Sequence, residues 1–155
     1  MKAYLLDAFR YTDFANRQML QKIGALENPE ACVRFFSHLI NSQNKWMARI
    51  RNNAAPVAMS WWDPGYPLEH LETEWQNSLE AWVGYLTETP EDALLEEVQF
   101  TGFDGGVFAA KPKDIALQLI YHGIHHRAQM QLLIRAQGVE PDFIDYIGTV
   151  YRKIS

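Results

Sequence analysis

Two histidines four residues apart, His122 and His126, stand within the run Tyr121-His122-Gly123-Ile124-His125-His126-Arg127-Ala128-Gln129. Wound as an α-helix at about 100° per residue, the stretch from Asp114 to Gln137 brings Ile115, Leu119, His122, His126 and Leu133 into one narrow sector. That is the face a core would cover. Each imidazole carries a donor and an acceptor into this apolar stripe, and both must be satisfied. A divalent cation would satisfy them directly, because i,i+4 spacing points two neutral rings at one atom. Two hydrogen-bonded core histidines would read the same way, and spacing alone leaves both readings open. His125 is turned about 60° from His122 on the helix, which makes it a bystander or a supporting neighbour of the pair and not the first-choice ligand. Arg127 points almost opposite the stripe and is expected at the surface. No Asp or Glu close to the histidines in sequence is an obvious general base, so the catalytic residues stay unassigned.

The elements that would position this pair are helical. Residues from about Lys2 to Ile23 read as a first helix whose stripe is Leu5, Phe9, Thr12, Asn16, Met19, Leu20 and Ile23, with Gly24 as the stop. Thr12 and Asn16 interrupt the stripe, either bonding backbone or water or lining a polar interior. Asn28-Pro29-Glu30 predicts a helix start, a cap residue with proline at the first helical position. The second helix runs to about Arg51 on a stripe of Cys32, Phe35, Leu39, Trp46 and Ile50, with Phe36 at one edge. His38 lies at the other edge near Ser42, where it would reach a shared site or extend to water; taken alone it reads as a surface residue.

Asn52 to Pro67 is predicted as a loop, marked by Pro56, Asp63-Pro64-Gly65 and Pro67. Its Met59, Trp61, Trp62 and Tyr66 would serve either as a lid on the end of the helices or as the wall of a substrate pocket. A third helix from about Leu68 to Glu88 has the cleanest stripe, Leu71, Trp75, Leu79, Trp82 and Leu86. His70 falls off it, toward solvent. Between Thr89 and Pro112 the helical period is lost, and Val98-Gln99-Phe100 and Gly106-Val107-Phe108 flank Asp104-Gly105 as a small hairpin. The helix of the histidine pair follows, and Glu140-Pro141-Asp142 restarts a short terminal helix through Phe143 and Ile147. Four amphipathic helices with one long crossover region predict an all-α chain, a four-helix bundle, whose metal sites are built from facing helices.

A chain of 155 residues is long enough for one domain with a full core. Its formal net charge of −5 and the lack of any Lys or Arg run argue against a nucleic-acid surface. Cys32 is the only cysteine, so neither an intrachain disulfide nor a cysteine-based zinc site can form, and it reads as a small buried side chain. Asp7 and Arg10 interrupt any signal-peptide core, and no apolar run reaches membrane-spanning length. The expected location is the cytoplasm.

His122 through Gln129 resembles the "NHGTHHRGQ" signature of the DinB/YfiT-like metalloenzyme family. Phe14-Ala15-Asn16-Arg17 is similar to that family's first-helix segment, His38, Trp46 and Arg49 to its second-helix pattern of His, Trp and Arg, and Gly138 through Tyr146 to its ending. The resemblance covers most of the chain, residues 1–155 being expected as one DinB-like domain. Tyr121 stands where the family often has Asn, and Ala128 replaces the usual Gly. The resemblance implies a divalent metal, zinc or nickel first, held by His38, His122 and His126, with His38 thereby raised from a surface residue to the third ligand. Three imidazoles would also accept iron or copper. The resemblance further implies a small-molecule substrate and a low-molecular-weight thiol, used by S-transferases or thiol-dependent isomerases of this kind. The competing expectation is a non-catalytic bundle that carries or senses a metal or small ligand. Leu117, Ile120, Tyr121, Ile124 and Ala128 form a second apolar stripe on the back of the histidine helix, which predicts packing against a second copy as a homodimer. The alternative cover for that stripe is the terminal segment around Phe143 and Ile147.

Overall fold

The computed structural model describes residues 1–51, 59–102 and 104–154. The predicted loop at residues 52–58, with Pro56, lies outside the described residues. The α-helices and strands, in order, are α1 (Lys2–Ile23), α2 (Glu30–Ile50), α3 (Leu71–Glu88), β1 (Val98–Thr101), β2 (Val107–Ala110), α4 (Pro112–Ala136) and a single turn, α5 (Ile147–Val150). Among the described residues the chain is thus mainly helical with one small sheet. α1 and α2 each pack against both α3 and α4, so the apolar stripes of all four long helices meet in one core.

The stripes explain the packing. Leu71, Trp75, Leu79, Trp82 and Leu86 of α3 are all buried, as are Leu5, Phe9, Met19 and Ile23 of α1. Phe9 stacks on Trp82 with ring centroids 5.7 Å apart. Both core indoles keep a partner for their N–H: Trp82 donates to the backbone carbonyl of Gln43 at 3.0 Å and Trp75 to Asp13 Oδ1 at 2.9 Å. A Trp of this size is therefore accommodated without an unpaired donor. On α2 the core is filled by Cys32, Phe36, Leu39 and Ile40, while Phe35 and Trp46 are only half-buried and turn toward the segment that follows the helix.

Helix ends decide where the site helix sits. Pro112 opens α4 at its first turn, where a missing N–H costs nothing. At the other end Gly138 adopts φ 76°, and Gly138 N–H and Val139 N–H donate to Arg135 and Ile134 carbonyls at 2.9 and 3.3 Å. That paired closure needs a left-handed residue, which glycine supplies without strain. The end of α4 is tied to the start of α2, since Gln137 Oε1 accepts from Asn28 N–H at 3.1 Å and Gln137 Nε2 donates to the Asn28 carbonyl at 2.9 Å. Asn28 is thus a bracket between helices and not the predicted cap. α2 begins one residue later than expected, at Glu30, with Pro29 outside it.

β1 and β2 form the predicted hairpin, antiparallel in the register Val98↔Ala110 to Thr101↔Val107. Phe100 of β1 meets Trp46 of α2 edge-on, centroids 5.2 Å apart, which anchors the hairpin on the outer end of α2. The terminal segment departs from expectation. Residues 139–145 are irregular, only Ile147–Val150 is helical, and Phe143 and Ile147 are exposed. Tyr11 donates to the Ile144 carbonyl at 3.0 Å and meets Tyr146 edge-on, so the segment lies along α1, where it leaves Tyr121 and Ile124 of α4 exposed. Ile120, expected in that back stripe, is instead buried in the chain's own core. Among the described residues no helix is long and apolar enough to cross a membrane.

Candidate metal centre

His122 and His126 occupy successive turns of α4, and their Nε2 atoms lie 2.9 Å apart. His38 approaches from the middle of α2 across the helix–helix seam, its Nε2 3.1 Å from His122 Nε2. One ring nitrogen from each residue lies within 4.8 Å of the other two. The structure therefore brings together all three residues expected as ligands, and it buries His38, which the sequence alone places at the surface.

The burial of His38 has a cause in the segment after α2. The polar edge of that helix holds residues 59–66 in place: Asn41 Nδ2 donates to the Pro64 carbonyl at 3.0 Å, Tyr66 N–H donates to Ser37 Oγ at 3.0 Å, and Lys45 Nζ donates to the Met59 carbonyl. Ser60 Oγ accepts from both Trp62 N–H and Asp63 N–H at 3.0 and 3.1 Å, which shapes the turn. The result lays the Trp62 ring flat on His38, centroids 4.0 Å apart at 12°. Phe35 extends this cover, its ring 6.0 Å from that of Trp62 and 5.3 Å from that of His126. The aromatic loop, for its described part, is thus a wall of the histidine cluster.

Hydrogen bonds fix two of the rings. His38 Nδ1–H donates to the Trp61 carbonyl at 2.6 Å, and His126 Nδ1–H donates to Gln129 Oε1 at 2.6 Å. Each bond commits Nδ1 as the donor and leaves Nε2 with a lone pair aimed at the cluster. Burial lowers the pKa of all three rings, furthest at His122, to about 4. His126 and His38, as neighbouring rings, push His122 the same way, whereas the Trp61 and Gln129 bonds oppose the shift at His38 and His126. At neutral pH the rings are uncharged, the form in which imidazole binds metals.

Lone pairs that converge in this way are poorly served by protons, because one N–H on His122 cannot meet both neighbours well. A divalent cation fits the donor set. With bonds of about 2.0–2.1 Å, neighbouring nitrogens on such an ion stand roughly 3 Å apart, close to the two separations given above. No Asp or Glu joins the cluster among the described residues. His125 is exposed, its ring 4.9 Å from that of His126, and makes no hydrogen bond among the described residues.

Arg127 reverses its expected place. It is 2% exposed, its Nη1 donates to Asn16 Oδ1 at 3.1 Å, and its guanidinium lies over the Tyr11 ring. Burial works against its charge, and Tyr11 partly offsets this. Space for it comes from Gly123, where a Cβ would come within 3.0 Å of Nη1. The signal available in sequence was Asn16, a polar residue on the α1 stripe that required an interior partner. Lys45 and Arg49 are also buried beside Trp61, with Arg49 set among Trp46, Trp61 and Phe100 at 4.6, 5.1 and 4.7 Å.

In comparisons with known proteins, the model of the DinB family matches residues 6–153 of the chain. No curated protein and no solved structure matches it.

Proposed function

The chain belongs to the DinB family, and from that premise we propose that it is a divalent-metal-dependent transferase acting in the cytoplasm on a low-molecular-weight thiol, or a thiol-dependent isomerase of the same kind. We read its four long helices as the YfiT type of four-helix bundle. The observation that carries the proposal is the convergence of three neutral imidazoles, two of them locked by Nδ1 hydrogen bonds. His38, His122 and His126 would hold the ion, zinc or nickel first, with iron or copper also accepted by three nitrogens.

When bound, such an ion would supply a Lewis acid that lowers the pKa of a thiol or water at its open positions. The chain's own groups do the rest. Trp61 and Gln129 orient two of the rings, while Trp62 and Phe35 cover the cluster and limit water around a nucleophilic sulfur. In the transfer one S–C bond forms and the bond from that carbon to its leaving group breaks. The leaving group departs with its electron pair, and the thiol proton passes to solvent, since no carboxylate among the described residues stands in the cluster to receive it.

That missing carboxylate favours a second reading, a bundle that binds a metal or small ligand without turnover and serves a stress response. A screen of the metal-loaded protein with small thiols and an activated haloarene separates the two. Turnover that disappears in His126→Ala supports the transferase. Tight metal binding with no turnover for any thiol or acceptor turns the assignment to the second reading.

A further inference from the structure

Two of the three histidine rings have a protein partner at Nδ1, the Trp61 carbonyl and Gln129 Oε1, but among the described residues none meets Nδ1 of His122. His122 also lines a void of about 10 Å³ together with Asn16 and Gln43, with Leu39, Trp75 and Leu119 as apolar walls. Asn16 is 0% and Gln43 4% exposed. Among the described residues Asn16 Nδ2 and Gln43 Oε1 are both without a hydrogen-bond partner. The polarity of the Asn16 amide is not arbitrary: Oδ1 is taken by Arg127 Nη1–H at 3.1 Å, so Nδ2 is the unmatched donor. The residues that line this one void therefore carry an unmatched donor, an unmatched acceptor and a ring nitrogen that can be either. Buried polar groups left so are rare, and a void of this size and polarity is at the lower limit for a single ordered water.

We propose that this void holds one ordered water that is the Nδ1 partner of His122, with Asn16 and Gln43 as positioning residues for the third ring. The proposal rests on the three-histidine reading of the metal centre. One water meets both of these side chains at once, accepting from Asn16 Nδ2–H and donating to Gln43 Oε1. Its remaining bond goes to His122, and either direction is open to it. Without a metal, His122 carries its proton on Nε2, facing the lone pairs of His38 and His126, and the water donates to Nδ1. A ring that ligates through Nε2 must carry its proton on Nδ1 instead, and the water then accepts it. A carbonyl, as at His38, would fix one tautomer; water serves both. Arg127 takes part through Asn16, whose amide it holds in the required orientation.

Three measurements on the zinc-stripped and zinc-loaded protein test this: a high-resolution crystal structure, long-range ¹⁵N–¹H NMR of the imidazoles, and calorimetric titration of wild type and Gln43→Leu with zinc. Expected are one water within hydrogen-bond distance of all three residues and a His122 proton that moves from Nε2 to Nδ1 on loading. Gln43→Leu should bind zinc roughly tenfold to a hundredfold more weakly. Its zinc-stripped form should melt within a few degrees of wild type, since the backbone carbonyl of Gln43 still accepts from Trp82. Should that variant fail to fold, the crystal structure and the NMR on wild type carry the test. A dry void, an unmoved proton or wild-type affinity in Gln43→Leu, in a protein that binds zinc on its three rings, overturns this proposal alone. A wild type that takes up no zinc overturns the metal centre and this proposal together.

Discussion

At the scale of single residues, His122 bears the cluster's cost of burial. Its pKa of about 4 in the fold lies below the roughly 6.5 of an unfolded histidine. As pH falls, the unfolded chain takes up this proton first, so the stability from a neutral His122 is complete above about pH 6.5. It is lost as pH drops toward the folded value. Thermal melts of metal-stripped protein from pH 7.5 downward should therefore show a decline that is shallower in His122→Asn; parallel declines would contradict the assignment. Beside it, Gly123 makes room for Arg127. Ala at this position gains up to about 1 kcal/mol of helix propensity but overpacks against a guanidinium pinned by Asn16, at a cost of about 1–3 kcal/mol. Gly123→Ala should lose about 1 kcal/mol in urea unfolding, and a stabilised variant would show that Arg127 can withdraw.

Among the elements, the segment from Met59 to Tyr66 couples the fold to the site. Trp62 lies against His38, whereas Trp75 and Trp82 are sealed in the core. Addition of copper or nickel should quench tryptophan fluorescence, and Trp62→Phe should remove a larger share of that quenching than Trp82→Phe. Equal losses would place the ion elsewhere. What could be read from sequence follows the same division. α1 and α3 were legible because their stripes, such as Leu71 to Leu86, bury against other helices with ordinary helical periodicity. The hairpin was legible from its turn residues, among them Gly105 at φ 80°. The i,i+4 pair of α4 was legible for the same reason as the stripes. His38 was not, because its burial comes from a loop that folds back over the polar edge of α2, and no periodicity reports such a contact. Arg127 was missed because a wheel assigns charge to solvent, while here α1 presents Asn16 and Tyr11 to receive it. The terminal helix was overestimated: Phe143 and Ile147, its expected apolar residues, are exposed, and so no buried face holds a longer helix.

For the whole molecule, Tyr121, Ile124 and Leu132 stay exposed along the outer side of α4, at 60%, 45% and 67%, and the terminal segment lies elsewhere. We propose that this side packs on the same side of a second copy, as an isologous dimer would. Light scattering should give twice the chain mass for wild type and a single chain mass for Ile124→Glu; a monomeric wild type removes the proposal. The central claim, one divalent ion on three rings from two helices, is tested most directly by calorimetric titration of metal-stripped protein with zinc. Wild type, His38→Ala, His122→Ala, His126→Ala and His125→Ala are compared. The expected result is one ion per chain, severe loss of affinity in each of the first three variants, and at most about a tenfold loss in His125→Ala. Wild-type binding in His38→Ala together with abolished binding in His125→Ala would contradict the assigned triad, and indifference to all four changes would make the histidines a structural cluster.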